Sequence, residues 1–129
     1  MNYMKIPFFN YPALFKQRKK EYIEVITDVL DRGAFIMQND LIEFEDNLAT
    51  YLGTKYAIGM ADGTMSLLTS LIAAGISSGD EVLVPSHTFV ASAAAIHHAG
   101  GKPVLVDCGK DHLIDTSSIE SAITKKLKQ

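Results

Sequence analysis

A change of hydrophobic period within residues 56–74 constrains the fold more than any other feature of the sequence. A short apolar run around the β-branched Ile58 is followed by a polar break at residues 61–64. The apolar residues then return at the spacing of a helix face, at Met65, Leu68, Leu71 and Ile72. This pattern predicts a strand, a tight loop and a helix.

The predicted loop is suited to binding an anion. The first backbone N–H groups of a helix have no partner within the helix, and the helix dipole adds partial positive charge there, which favours phosphate. Gly63 would let the backbone approach a ligand closely, and Thr64 would add a hydroxyl donor. An ordinary capped helix without a ligand, with Asp62 as the N-cap, explains the same residues. The local pattern leaves both interpretations open.

The composition limits the classes of protein to which this chain can belong. A length of 129 residues with 47% hydrophobic content suits one domain with its own core. The net charge of -3 argues against a nucleic-acid partner, and the basic residues between Lys16 and Lys20 are interpreted as a solvated helix face. The single cysteine, Cys108, has no partner for a disulfide or a metal site, which fits the cytoplasm. No run suggests a signal peptide or a membrane span.

The first half of the chain reads as mainly helical. An extended arm is expected at residues 3–11, and an amphipathic helix from Phe15 to Leu30. A second helix is expected to open at residues 39–40, with Asp40 and Glu43 forming a capping box, and to end at Gly53. Its predicted buried stripe consists of Leu41, Phe44, Leu48 and Tyr51.

The second half alternates strands with helices. Strands are predicted at residues 81–84 and 102–106, and helices at residues 65–74, at 90–99 and from Ser117 to the end. The alternation predicts an α/β fold with a mostly parallel sheet flanked by helices. Ligands bind at the carboxyl ends of such strands, so we expect the loops 62–64, 86–89 and 107–109 to lie along one edge.

The ordered set of motifs resembles the DegT-type family of sugar-nucleotide aminotransferases, which use pyridoxal phosphate on the fold-type I scaffold. The matching residues are Gly33, Phe35, Ile36, Phe44, Glu45, Tyr51, Gly53, Gly63, Thr64, and those within 79–82, 85–92, 101–107 and 119–124. The resemblance implies an arm and helix at residues 1–32, followed at 33–129 by an incomplete cofactor-binding large domain.

Roles for several residues follow from this resemblance. The loop Asp62, Gly63 and Thr64 would hold the cofactor phosphate, and Phe89 would stack on the pyridine ring, although core packing also explains Phe89. His87 would line the sugar pocket, unless it is simply a surface residue. Phe35 lies in the 33–38 loop, which in the family reaches the active site across a dimer interface. Gln38 stands where that loop usually has a second glycine.

The resemblance also implies the chemistry, which is transfer of an amino group from glutamate to a nucleotide-linked keto-sugar. The family's Schiff-base lysine and the acidic residue paired with the ring nitrogen follow beyond position 129. Lys55, Lys102, Lys125, Lys126 and Lys128 are therefore expected on the surface. We therefore expect this chain to be the amino-terminal part of such an enzyme and to be inactive alone. We also expect it either to form a homo-oligomer or to be poorly soluble. A phosphate-ligand module and a structural remnant are the alternatives.

Overall fold

The computed structural model describes residues 6–127, in two compact units, Met1–Gly59 and Met60–Gln129. Residues 3–5 of the expected arm and the last two residues of the expected final helix, including Lys128, lie outside the described range. The domain boundary expected after residue 32 belongs to the complete family fold and stays a prediction.

The first unit begins with two helices, α1 (Tyr11–Gln17) and α2 (Lys19–Asp31). The prediction of a single helix from Phe15 to Leu30 is therefore wrong. Asn10 caps α1 by accepting a hydrogen bond from the amide of Ala13, and Pro12 lies in the first turn, where its missing N–H costs nothing. Arg18, with φ -125° and ψ 22°, separates the two helices.

Helix α3 spans Asn39–Leu52 and ends, as predicted, at Gly53 in the left-handed region, where φ is 67°. The predicted capping box is wrong, because Gln38 is the N-cap and makes no side-chain cap. Asp40 instead accepts a hydrogen bond from Arg32 at 2.8 Å, which lowers the pKa of its carboxyl. Arg32 also binds Asp28, so it joins the end of α2 to the start of α3.

The predicted buried stripe of α3 is only partly correct. Leu41 and Leu48 are half-buried, whereas Phe44 and Tyr51 expose 56% and 85% of their surface. The spacing identifies an apolar face, but burial also requires another element to cover that face. The described residues of this unit do not cover it.

Residues 56–60 form no strand, so the predicted strand around Ile58 is wrong. A strand is defined by its ladder of hydrogen bonds to a neighbour, and no described residue supplies such a ladder here. Among the described residues, the N–H of Gly59 donates to the carboxylate of Glu45 at 2.6 Å, and the carbonyl oxygen of Tyr56 accepts a hydrogen bond from the Thr54 hydroxyl at 3.1 Å.

The second unit contains two parallel strands, β1 (Glu81–Pro85) and β2 (Lys102–Val106), joined by α5 (Val90–His98). The register pairs Glu81 with Lys102 and Pro85 with Val106. Helix α5 packs on both strands, and its alanine side chains are small enough for a close approach. The core of this unit is formed by Val84, Ala91, Ala95, Ile96 and Val106.

Helix α4 (Gly63–Ala73) packs against α5, and helix α6 (Thr116–Ala122) packs against β2. The N-cap of α6 is Asp115, whose carboxylate accepts a hydrogen bond from the amide of Ser117 at 3.0 Å, so the helix begins one residue before the predicted start at Ser117. The helix also ends at Ala122 and does not continue toward residue 127. There the chain turns back to β1, where Lys126 accepts a hydrogen bond from the amide of Glu81.

Candidate phosphate-binding site at the start of α4

The first turn of α4 is closed by Asp62. This residue is extended, with φ -164° and ψ 178°, and its carboxylate accepts a hydrogen bond from the amide of Met65 at 2.9 Å. Its carbonyl oxygen accepts a second hydrogen bond from the amide of Ser66 at 3.0 Å. Asp62 is therefore an N-cap, as the ligand-free interpretation of the sequence expected.

The cap leaves two amides of this turn open. Within residues 6–127, neither the N–H of Gly63, the N–H of Thr64 nor the Thr64 hydroxyl has a hydrogen-bond partner, and both residues are exposed. Three donors thus meet at the positive end of the helix dipole. Such an arrangement favours an anion with several acceptor oxygens.

Nothing in the surrounding protein requires glycine at position 63. Its φ is not positive, and a Cβ built on it would meet no heavy atom within 4 Å. Glycine usually occurs where the backbone is left-handed or where another group approaches it closely. Since the described residues supply neither reason, the space above Gly63 is free for a ligand to approach the backbone.

An open pocket of about 570 Å³ extends from these donors to Phe89. Phe89 directly precedes α5, just beyond the carboxyl end of β1, and exposes 76% of its surface. Core packing therefore does not explain this side chain. Its ring is available to a flat, aromatic ligand at the edge of the sheet where α/β proteins bind ligands. The pocket is lined by Gly63, Thr64, Ser66, Leu67, Ser70, Phe89, Ala91 and Ser92.

Several of these lining residues were not identified from the sequence. Ser66, Leu67 and Ser70 follow Gly63 by three, four and seven positions, so helical spacing alone places them on the same face of α4. The hydroxyl of Ser92 lies 3.1 Å from that of Thr88. That contact becomes visible only once α5 is known to begin at Val90.

The other two candidate residues do not line this pocket. His87 is exposed and stands edge-on to His112, with ring centroids 5.9 Å apart. His112 belongs to the turn that follows residues 107–109, so the 86–89 loop contacts that turn through this pair. Phe35 belongs to the other unit, in the loop between α2 and α3, and exposes 71% of its surface.

None of the described lysines lines the pocket. Lys55, Lys125 and Lys126 are exposed, as predicted. Lys102 is exposed too, and its ammonium binds the carboxylate of Glu81 at 2.9 Å. Through residues 6–127, the helices are too short or too polar to cross a bilayer, and no three His, Cys, Asp or Glu side chains are grouped to hold a metal ion.

Relatives of known function resemble this chain over nearly its whole length. It is 36% identical over 125 residues to dTDP-3-amino-3,4,6-trideoxy-alpha-D-glucose transaminase of Streptomyces venezuelae, covering 96% of this chain and 33% of the relative. It is also 36% identical over 126 residues to 3-oxo-glucose-6-phosphate:glutamate aminotransferase of Bacillus subtilis (strain 168), covering 96% of this chain and 29% of that protein.

A solved structure shows the same fold. The crystal structure of NtdA from Bacillus subtilis with bound cofactor PMP superposes with a TM-score of 0.89 at 33% identity, covering 98% of this chain and 30% of that one. The chain thus spans about a third of the length of the proteins it matches. The model of the DegT/DnrJ/EryC1/StrS aminotransferase family matches residues 16–129. The chain therefore belongs to this family, and its fold is that of a fold-type I aminotransferase.

Proposed function

We propose that this chain forms the part of a pyridoxal-phosphate-dependent aminotransferase that holds the phosphate and the ring of the cofactor. One observation carries the proposal, which is that unpaired donors at Gly63 and Thr64 share a pocket with the exposed ring of Phe89. Pyridoxal phosphate consists of an aromatic ring that carries a phosphate group. Its binding therefore requires hydrogen-bond donors for the phosphate and an apolar surface for the ring.

Each residue has a distinct part in holding this group. The amides of Gly63 and Thr64 and the Thr64 hydroxyl donate to phosphate oxygens, while Asp62 caps the turn that aims the two amides outward. Phe89 lies against one face of the ring and keeps water from it. When bound, the cofactor supplies an electron sink for a substrate carbanion.

The substrates and assembly of the whole protein are proposed from its family. We propose a nucleotide-linked keto-sugar as the amino acceptor and glutamate as the donor, with His87 and Phe35 contacting the sugar. One relative is named for a dTDP-sugar and another for glutamate. The whole protein is proposed to be a homo-oligomer that acts in the cytoplasm. Catalysis would need a Schiff-base lysine, a role that the placement of the described lysines does not support.

A titration with pyridoxamine phosphate tests the proposal. This ligand is suitable because it has no aldehyde to react with surface lysines, and its fluorescence can be followed in a chain without tryptophan. We expect it to bind more tightly than either pyridoxamine or inorganic phosphate. Equal binding of inorganic phosphate would favour the phosphate-ligand module. Absence of binding by all three would favour the structural remnant.

A further inference from the structure

Asp62 brings a negative charge to a site proposed to bind a negative group. Its carboxylate lies 2.9 Å from the amide of Met65, in the same helix turn as the open amides of Gly63 and Thr64. An ionised carboxylate only accepts hydrogen bonds, so it offers no donor to a phosphate. A phosphate accepting from those two amides would lie within the first turn, close to this carboxylate.

No cation of the part of the chain that the structure describes is paired with this charge. Among the described residues Asp62 forms no ion pair, and the lining of the pocket contains no charged side chain. The capping function does not require the charge either, because asparagine and serine cap helices about as well as aspartate. The charge therefore affects the anion site more than it affects the helix.

We propose that the Asp62 carboxylate weakens the binding of phosphate dianions at the start of α4. This inference rests on the proposed function, and it adds a residue that sets the affinity of the site. A phosphate held only by the helix amides is released readily, because the carboxylate opposes the helix dipole. Stable binding then depends on the further contact between a ring and Phe89.

The test compares the 129-residue chain with its Asp62→Asn and Asp62→Ser variants, using pyridoxamine phosphate and inorganic phosphate as probes. Both substitutions keep a capping side chain and remove the charge. We expect both probes to bind about tenfold more tightly, the factor for removing one unit charge that lies about 6 Å from a dianion in a water-like medium. Glu120→Gln is the charge-matched control, since Glu120 is exposed and its side chain has no partner in the described chain.

Salt separates a charge effect from a change of shape. The Debye length falls from about 10 Å at 0.1 M to about 3 Å at 1 M, so the tenfold difference should shrink at the higher concentration. Thermal unfolding of each variant, compared with the parent, tests whether the fold is retained. Equal affinities of the parent and the two variants for pyridoxamine phosphate would overturn this inference and leave the proposed function standing. Absence of binding in all of them would overturn both.

Discussion

The hydroxyl of Thr124 donates a hydrogen bond to the carboxylate of Glu81, which also accepts one from the ammonium of Lys102 at 2.9 Å. Glu81 exposes only 7% of its surface. The Thr124 hydroxyl, and after it the Lys102 ammonium, lower the pKa of this carboxyl. The network fastens residues 124–127 to the first residue of β1, where Leu127 forms an isolated bridge with Glu81.

We predict that this network makes the stability of the second unit depend on pH. The pKa of Glu81 is lower in the folded chain than in the unfolded chain, where it is about 4.3. Its contribution is therefore fully present above that value and is lost as pH falls through the folded pKa. Thermal unfolding of the parent and of Glu81→Gln should differ most near neutral pH and converge in acid. A difference independent of pH would contradict this.

Removal of the Thr64 hydroxyl should weaken phosphate binding. Thr64→Ala deletes one of the three open donors and keeps the backbone amides. We expect the binding free energy of pyridoxamine phosphate to fall by about 1–3 kcal/mol, the usual value for a hydrogen bond to a charged group. Thr69→Ala is a matched control on the same helix, because Thr69 does not line the pocket. An unchanged affinity in Thr64→Ala would remove this hydroxyl from the site.

Gly63→Ala should separate stability from binding. Alanine is a better helix former than glycine, and its Cβ meets no protein atom here, so the free energy of unfolding should stay equal or rise by up to about 1 kcal/mol. Binding of pyridoxamine phosphate should weaken, because the methyl group occupies space that the ligand needs. Gly53→Ala is the contrasting case and should lose stability, because φ is 67° there. Unchanged binding in Gly63→Ala would show that no ligand approaches this backbone closely.

Phe89→Ala should affect only ligands that contain a ring. We expect the binding free energy of pyridoxamine phosphate to fall by about 1 kcal/mol, while the affinity for inorganic phosphate stays the same. Stability should change little, because the ring is mostly exposed. Leu113→Ala, which also removes an exposed apolar side chain, serves as the control. An equal loss for both ligands would mean that the substitution disturbs the helix start rather than the ring contact.

The chain should associate in solution. Side chains such as Phe8, Tyr51 and Ile58 are 94%, 85% and 73% exposed, far more apolar surface than a monomer usually presents to water. Sedimentation velocity at several concentrations should therefore show dimers or larger species. A single monomeric species across that range would contradict this prediction.

Local chemistry made much of the second unit predictable. Strand β2 lies where the sequence placed it, and β1 and α5 differ from their predicted ends by one residue. The N-cap of α4 could be predicted because Asp62 acts through a contact within a single turn. Contacts of this kind join residues that are close in sequence, so they can be predicted from a few neighbouring residues.

The incorrect predictions involve contacts between distant residues. Asp40 had the right spacing for a capping box, but Arg32, eight positions earlier, binds its carboxylate. The final helix ends early where Thr124 binds Glu81, 43 positions away. Residues 56–60 have the composition of a strand and no described neighbour to pair with. Phe89 could be proposed as a ring-stacking residue from the family resemblance, whereas its exposure required the structure.

The cap formed by Asp62 means that α4 holds its first turn before any ligand arrives. A preorganised turn loses little conformational entropy when it is occupied, so binding should be fast and should involve no local folding step. Hydrogen exchange at the amides of Met65 and Ser66 should accordingly be equally slow with and without ligand. Additional protection from exchange on binding should be confined to the amides of Gly63 and Thr64. These are the amides that we propose donate to the anion.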